Sequence, residues 1–235
     1  MVSTGLVRGY EALSALLVIA GLGYVVRRRN PLYAGLYLGS AVGGGVFEWI
    51  FDTRWYFNLT SDPRLVPLWR IDGVPAPLAM VFFYTFFFGI PLILLLEHSA
   101  ALFDRFGRAG FFALLAVGAA VGVLAFEGFN TSVMGVYAYH QAPRFLLLGM
   151  PWSNLWFSPL IFCFAFWAAL RSRDVLDVVA AAGTPDTPAG TRAARPATAI
   201  ALGSAVLVTA YFAAATLNGV WYALARPWLD SGRPF

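Results

Sequence analysis

The sequence predicts an all-α fold, a polytopic transmembrane helical bundle forming a single domain over residues 1–235. Three observations predict it. The 235 residues are 60% hydrophobic, 17% aromatic and only 12% charged, where a soluble domain carries about a quarter charged residues. The mean hydropathy is +0.70. Apolar residues also gather into six segments of the length a span requires, about 20 residues.

Those segments are 7–26, 31–51, 76–97, 109–131, 153–170 and 197–225, the last long enough to tilt or to run past the membrane. A seventh apolar stretch, Tyr137 to Met150, is short and reads as a re-entrant or interfacial piece. The breaks carry recognisable punctuation. Arg27-Arg28-Arg29 ends the first span and Asn30-Pro31 opens the second; Asp104 to Arg108 closes the third. Residues 171–196, with GTPDTPAGTRAARP, form a polar Pro-, Thr- and Ala-rich loop between spans.

All 16 basic residues are Arg, so lysine nucleophiles and Schiff bases are excluded. Their scatter over loops gives no nucleic-acid signature; a net charge of +4 suits loops facing anionic lipid. The Arg27–Arg29 cluster favours both termini outside. No basic leader with a small-residue cleavage site is read at the N-terminus, and a bacterial plasma membrane is the expected location. Cys163, the single cysteine, reads as a small buried hydrophobe.

Two stretches echo each other, 46–75 and 125–151. Each begins with Phe-Glu near the end of a span and passes through an aromatic loop with Tyr (Tyr56; Tyr137 and Tyr139). Each ends in Gly-x-Pro, at Gly73-Val74-Pro75 and Gly149-Met150-Pro151. The echo predicts a weak internal repeat of two helical hairpins, with both loops on one membrane face.

Five acidic residues lie within spans or at their ends: Glu11, Glu48, Asp52, Glu97 and Glu127. A charge in that position costs about 2.5–3.5 kcal/mol even on lenient insertion scales, so such residues are functional or paired. Glu48 and Asp52 are four apart and share a helix face. Apolar neighbours or a second carboxylate favour the protonated form of each, a proton donor to a weakly basic carbon. Capping, or pairing with Arg54 or Arg70, is the structural alternative for Asp52. Glu127 occupies the matching place in the second hairpin, near Asn130 and Asn154; a hydrogen bond to another helix is its plain reading. Glu97 and His98 read as interfacial beside the 104–108 turn, Glu11 has no evident partner, and His140 is a lone interfacial histidine and a poor metal ligand.

Aromatic residues surround these acids. Trp49, Trp55, Tyr56, Trp69, Phe129, Tyr137, Tyr139, Trp152, Trp156 and Trp221, with Asn130 and Asn154, are the candidate substrate-binding residues. The plain reading is an interfacial belt of Trp and Tyr; the functional one is a set of ring faces that stabilise a carbocation. Gly-rich phosphate loops, Ser-His-Asp arrangements, Asp-rich diphosphate motifs and metal-ligand clusters are missing from the sequence, which disfavours Mg-diphosphate transferases and nucleophilic hydrolases.

A Glu near the end of the second span followed by an aromatic loop resembles the integral membrane terpene cyclases of meroterpenoid and indole-terpenoid biosynthesis. The Phe-Glu…Tyr-x-Tyr…Gly-x-Pro stretch at 126–151 also looks like the membrane carotenoid hydratases. The likeness covers mainly 46–77 and 125–156. It implies metal-independent protonation of an isoprenoid double bond or epoxide by a buried carboxylic acid, leading to cyclisation, or to hydration if water enters. No cofactor is implied; the expected partners are a lipophilic isoprenoid, the bilayer and enzymes of a terpenoid pathway. Glu48 matches the early acid of the cyclases, with Glu127 and Asp52 as the other catalytic candidates. The late acid of those enzymes has only Asp230 as its counterpart, and the Glu-Glu pair of heterodimeric lycopene cyclases is missing. A transporter or lipid-binding protein with proton-relaying acids, and a structural subunit, are the readings from other classes.

Overall fold

A computed structural model describes residues 3–50, 59–71, 73–140, 146–181 and 189–230. Among them, five helices are long and apolar enough to cross a bilayer: Thr4–Arg28, Leu78–Glu97, Ser99–Val133, Asn154–Val178 and Arg195–Ala225. Lipid-compatible side chains such as Leu16, Ile19, Val117, Val121 and Leu224 cover their outer faces.

The predicted punctuation operates as expected at the first connection. Helix α1 (Thr4–Arg28) starts where the Ser3 hydroxyl accepts from the Leu6 amide, and it stops at Arg29 in the left-handed conformation. The Asn30 carboxamide then accepts from the Leu32 amide and Pro31 occupies the first turn of α2 (Pro31–Ser40), the position where a missing N–H costs nothing. A π-helical segment (Ala41–Phe47) and the short α3 (Glu48–Ile50) continue the same rod. Helix α4 (Leu78–Glu97) ends at His98, and α5 (Ser99–Gly128) follows directly, running into a second π-helical segment (Phe129–Val133). The break expected over Asp104–Arg108 narrows to one residue, Gly107, whose φ of 66° interrupts α5.

The polar loop at 171–196 is shorter than predicted. Helix α6 (Asn154–Ala181) enters it from one side and α7 (Ala189–Asp230) from the other, because Ala- and Arg-rich sequence sustains helix where Pro and Thr do not. The short apolar stretch read as a re-entrant or interfacial piece, Tyr137 to Met150, is not helical among its described residues. It holds strands β4 (Tyr137–Tyr139), β5 (Leu146–Leu147) and part of β6 (Met150–Pro151). With β1 (Leu59–Ser61), β2 (Pro67–Ile71) and β3 (Val74–Pro77), these short strands add a small β component to the predicted all-α fold.

Helices α2 and α7 run side by side with their backbones in close approach. Gly35, Gly39 and Gly43 recur every fourth residue along one face. An added Cβ at Gly35 would collide with the Ile200 carbonyl; one at Gly39 would lie 2.7 Å from the Ser204 oxygen and one at Gly203 2.5 Å from the Leu32 oxygen. Small residues at such spacing let backbones meet, the means by which helices associate in lipid. The contacts ascend together (35 with 200, 39 with 204), so the two helices are parallel.

The opposite end of the bundle, where the Arg cluster lies, is held by a clasp. Glu97 accepts from Tyr24 at 2.6 Å and from Arg28 at 2.9 Å, and Arg173 donates to the Leu96 carbonyl and the Ser99 hydroxyl. The ion pair expected for Glu97 is therefore made with the first helix rather than with the 104–108 turn.

Replacing Gly35 by Val should lower the thermal unfolding temperature in detergent and cut the folded yield, at a cost of roughly 1–3 kcal/mol for overpacking. Gly23→Val, where an added Cβ meets nothing within 4 Å, should unfold within a degree or two of the parent. Equal behaviour of the two variants would contradict the α2–α7 seam.

Candidate functional site

Glu127 sits on the last turn of α5 with 1% of its surface exposed. Three phenol hydroxyls converge on it. Tyr84, from α4, donates to Oε1 at 2.7 Å; Tyr137 and Tyr139, from β4, donate to Oε2 at 2.5 and 3.0 Å. The ion pairs of the described residues (Arg8–Glu11, Arg28–Glu97 and Arg64–Asp62) are all elsewhere. Neutral donors thus supply what a counter-ion would supply, and Glu127 faces no cation among the described residues. Burial, and then the neighbouring Glu127 carboxyl, push the Tyr137 phenol well above its ordinary range, so it stays a donor.

Rings enclose the carboxyl. Phe126 packs on Phe87 at 4.8 Å and on Phe83 and Tyr84 at 5.7 Å; Tyr84 stacks on Phe88 at 5.8 Å, and Tyr10 reaches Phe83 at 4.7 Å. The glycine run of the first π segment makes room for this layer. A Cβ on Gly44 would stand 3.1 Å from Tyr84 and 2.9 Å from the Tyr211 hydroxyl.

The loops of the two echo segments meet above the site. Strand β1 pairs antiparallel with β4, matching Leu59 to Tyr139, Thr60 to Ala138 and Ser61 to Tyr137. Both loops therefore occupy one end of the bundle, the arrangement the echo predicts. The Gly-x-Pro motifs have the same setting in each. Val74 follows Gly73 (φ 84°) and pairs with Ile71; Met150 follows Gly149 (φ 77°) and pairs with Leu147. Positive φ is what glycine supplies in a tight hairpin, and each second strand leads into the next long helix. Glu11, for which the sequence offered no partner, pairs with Arg8 and accepts from the Val66 amide at 2.6 Å, tying the first loop to α1. Arg64 grips Asp62 and holds that carboxyl below its usual range.

The other candidates divide. Asn130, three residues beyond Glu127, and Asn154, at the start of α6, are buried, and Trp49 is buried on α3. Trp69 is half-buried on β2. Trp152 and Trp221 meet at 5.4 Å on a partly exposed rim, and Trp156 packs on Phe157 at 6.5 Å. Phe129 is 48% exposed and does not join the enclosed cluster, because the π segment turns it outward while burying Asn130. Asp52, Trp55, Tyr56 and Arg54 lie outside the described residues, as does the side chain of Glu48. His140 is exposed and bonds the Thr60 hydroxyl at 2.7 Å.

Three participants escaped sequence reasoning in these roles: Tyr84 as a donor to Glu127, and the buried Asn218 and Ser153. Signals existed. Tyr84 is the one hydroxyl-bearing ring in FFYTFFF, and Asn218 is an isolated amide in a long apolar span; a buried hydroxyl or amide needs a partner. No known protein family, curated protein or solved structure matches the chain.

Cysteines introduced at Thr60 and Ala138, directly opposite in the β1–β4 pair, should form a disulfide under mild oxidation. Both positions accept a thiol without disturbing the core. Persistence of all three free thiols under oxidant, the native Cys163 included, would show that the loops do not meet.

Proposed function

We propose that this chain is a membrane-embedded, acid-catalysing enzyme of isoprenoid chemistry, in which the Glu127 carboxylic acid protonates a double bond or an epoxide and the resulting cation cyclises. One observation carries the reading: a fully buried carboxyl that meets three phenol donors and no described cation. Three donors fixed on the two carboxyl oxygens are suited to the moment after proton transfer, when the carboxylate carries its full charge. Donors set in place before charge develops stabilise it without reorganisation.

The balance of the step is simple. The Glu127 O–H bond breaks, and its proton bonds to one alkene carbon through the π pair, or to the epoxide oxygen, whose C–O bond then opens with its pair left on oxygen. The electron pair of the O–H bond remains on the carboxylate, and the positive charge passes to the substrate carbon. The quadrupoles of Phe126, Phe83, Phe88 and Tyr84 favour that charge. A neighbouring π bond then closes the ring, and loss of a proton back to Glu127 restores the acid.

The resemblance to membrane terpene cyclases in the Phe-Glu and Tyr-x-Tyr motifs supports the same class. The rod from Pro31 to Ile50, about 20 residues long, is read as a sixth crossing alongside the five long helices, and the paired loops with matched glycine turns favour descent of the two hairpins from one ancestor. Glu48 is the alternative donor, on the same resemblance.

Membranes containing the chain should convert an epoxidised or unsaturated prenyl substrate, and Glu127→Gln should lower turnover by a factor of roughly 10²–10⁴ while keeping the folded yield. Full turnover in Glu127→Gln would overturn the assignment of the donor. Full turnover in both Glu127→Gln and Glu48→Gln would overturn the acid mechanism.

A further inference from the structure

Five buried side chains at the strand-bearing end carry polar atoms that meet no hydrogen-bond partner among the described residues: Trp49 Nε1, both amide atoms of Asn130, Ser153 Oγ, Asn154 Oδ1 and both amide atoms of Asn218. Their placement is connected. Asn130 lies three residues beyond Glu127, on the same side of the chain. Thr131 and Ser132 donate to the Leu148 carbonyl at 2.8 and 2.6 Å, which brings the β5–β6 hairpin against that turn. This hairpin leads into Ser153 and Asn154 at the start of α6. The Trp152–Trp221 contact then sets α7 beside them, with Asn218 one turn before Trp221. Phe47 meets Phe212 at 4.8 Å, and the parallel course of the two rods carries Trp49 toward the same level.

Buried donors and acceptors are normally paired, and leaving an amide bare in an apolar interior is costly. Such groups on neighbouring elements of one bundle end mark a site that a ligand completes. Its chemistry is specific. The set mixes donors and acceptors, carries no formal charge, and is engaged by no Arg or His among the described residues. An anionic head would find no counter-ion among the described residues, and a pure hydrocarbon would leave every group bare. We infer that Asn130, Ser153, Asn154, Asn218 and Trp49 form a subsite for a neutral oxygen function, a hydroxyl or carbonyl, on an otherwise apolar ligand. This rests on the isoprenoid reading for the nature of the tail, and it narrows the substrate from a hydrocarbon to an oxygenated prenyl compound. The head would be held by the amides while the tail runs toward the rings around Glu127.

The test is competition against tritiated farnesol on the purified full chain in detergent. Unlabelled farnesol should compete at least about tenfold better than farnesene or farnesyl monophosphate, since a site built to bond a hydroxyl rejects analogues that lack it. Asn130→Leu and Asn218→Leu should each weaken farnesol at least about fivefold and leave farnesene unchanged. Both variants should fold, because they remove unpartnered buried amides; the competitor series on the unaltered chain decides even where one does not. Equal competition by farnesol and farnesene would mean that the amides hold only water, and preference for the phosphate would mean an anion site; either overturns the inference. Glu127→Gln should keep the farnesol preference. Lost turnover with intact preference, or intact turnover with no preference, therefore separates the subsite from the acid mechanism.

Discussion

A carboxyl group cannot be left bare inside a bundle of apolar helices, and the solution for Glu127 dictates much of what surrounds it. Its oxygens need donors that neither lipid nor an apolar helix supplies. One comes from α4 through Tyr84, and two come from outside the helices through Tyr137 and Tyr139. To deliver them, β4 must fold back over the bundle end, and its free edge is satisfied by β1 from the other loop. The short sheet is thus a consequence of the acid as much as a cover for it. Tyr137 alternates with Ala138 and Tyr139, so the strand's period of two turns both phenols inward and leaves Ala138 exposed.

The helices meet a second constraint, that of room. The ring layer around Glu127 and the α2–α7 seam need close backbones next to bulky aromatics. Gly35, Gly39 and Gly203 serve the seam, while Gly43 and Gly44 admit the Tyr211 and Tyr84 rings. Both π-helical segments fall next to an acid, one ending before Glu48 and one beginning just after Glu127. Such wide turns recur at functional positions, and here the second rotates Asn130 inward and Phe129 outward.

Much of the fold was legible in the sequence because its determinants are local. Apolar length located the long helices, and Asn30-Pro31 and the Gly-x-Pro motifs marked ends that the structure keeps. Helix reached further into 171–196 than composition implied, since Ala and Arg there outweigh the scattered Pro and Thr. The strands at 137–151 were not legible as strands. Their hydrophobicity is that of a short membrane piece; pairing with 59–61 makes 137–139 extended, and β5 and β6 are extended by pairing with each other. Within the site, Glu127, Asn130, Tyr137 and Tyr139 were readable from the echo, being close in sequence. The donor role of Tyr84 was not, because its bond to Glu127 spans 43 residues. Phe129 misled for the reverse reason: adjacency to Glu127 in sequence says little about direction once a π turn intervenes.

The claim on which the account turns is that Glu127 and the phenols act as one bonded unit. A double-mutant cycle on unfolding stability in detergent, combining Glu127→Gln with Tyr137→Phe, measures it most directly. The account predicts a coupling of about 1–3 kcal/mol, the range for residues sharing one hydrogen-bond network. Additive losses, within about 0.5 kcal/mol of the sum of the single variants, would contradict it.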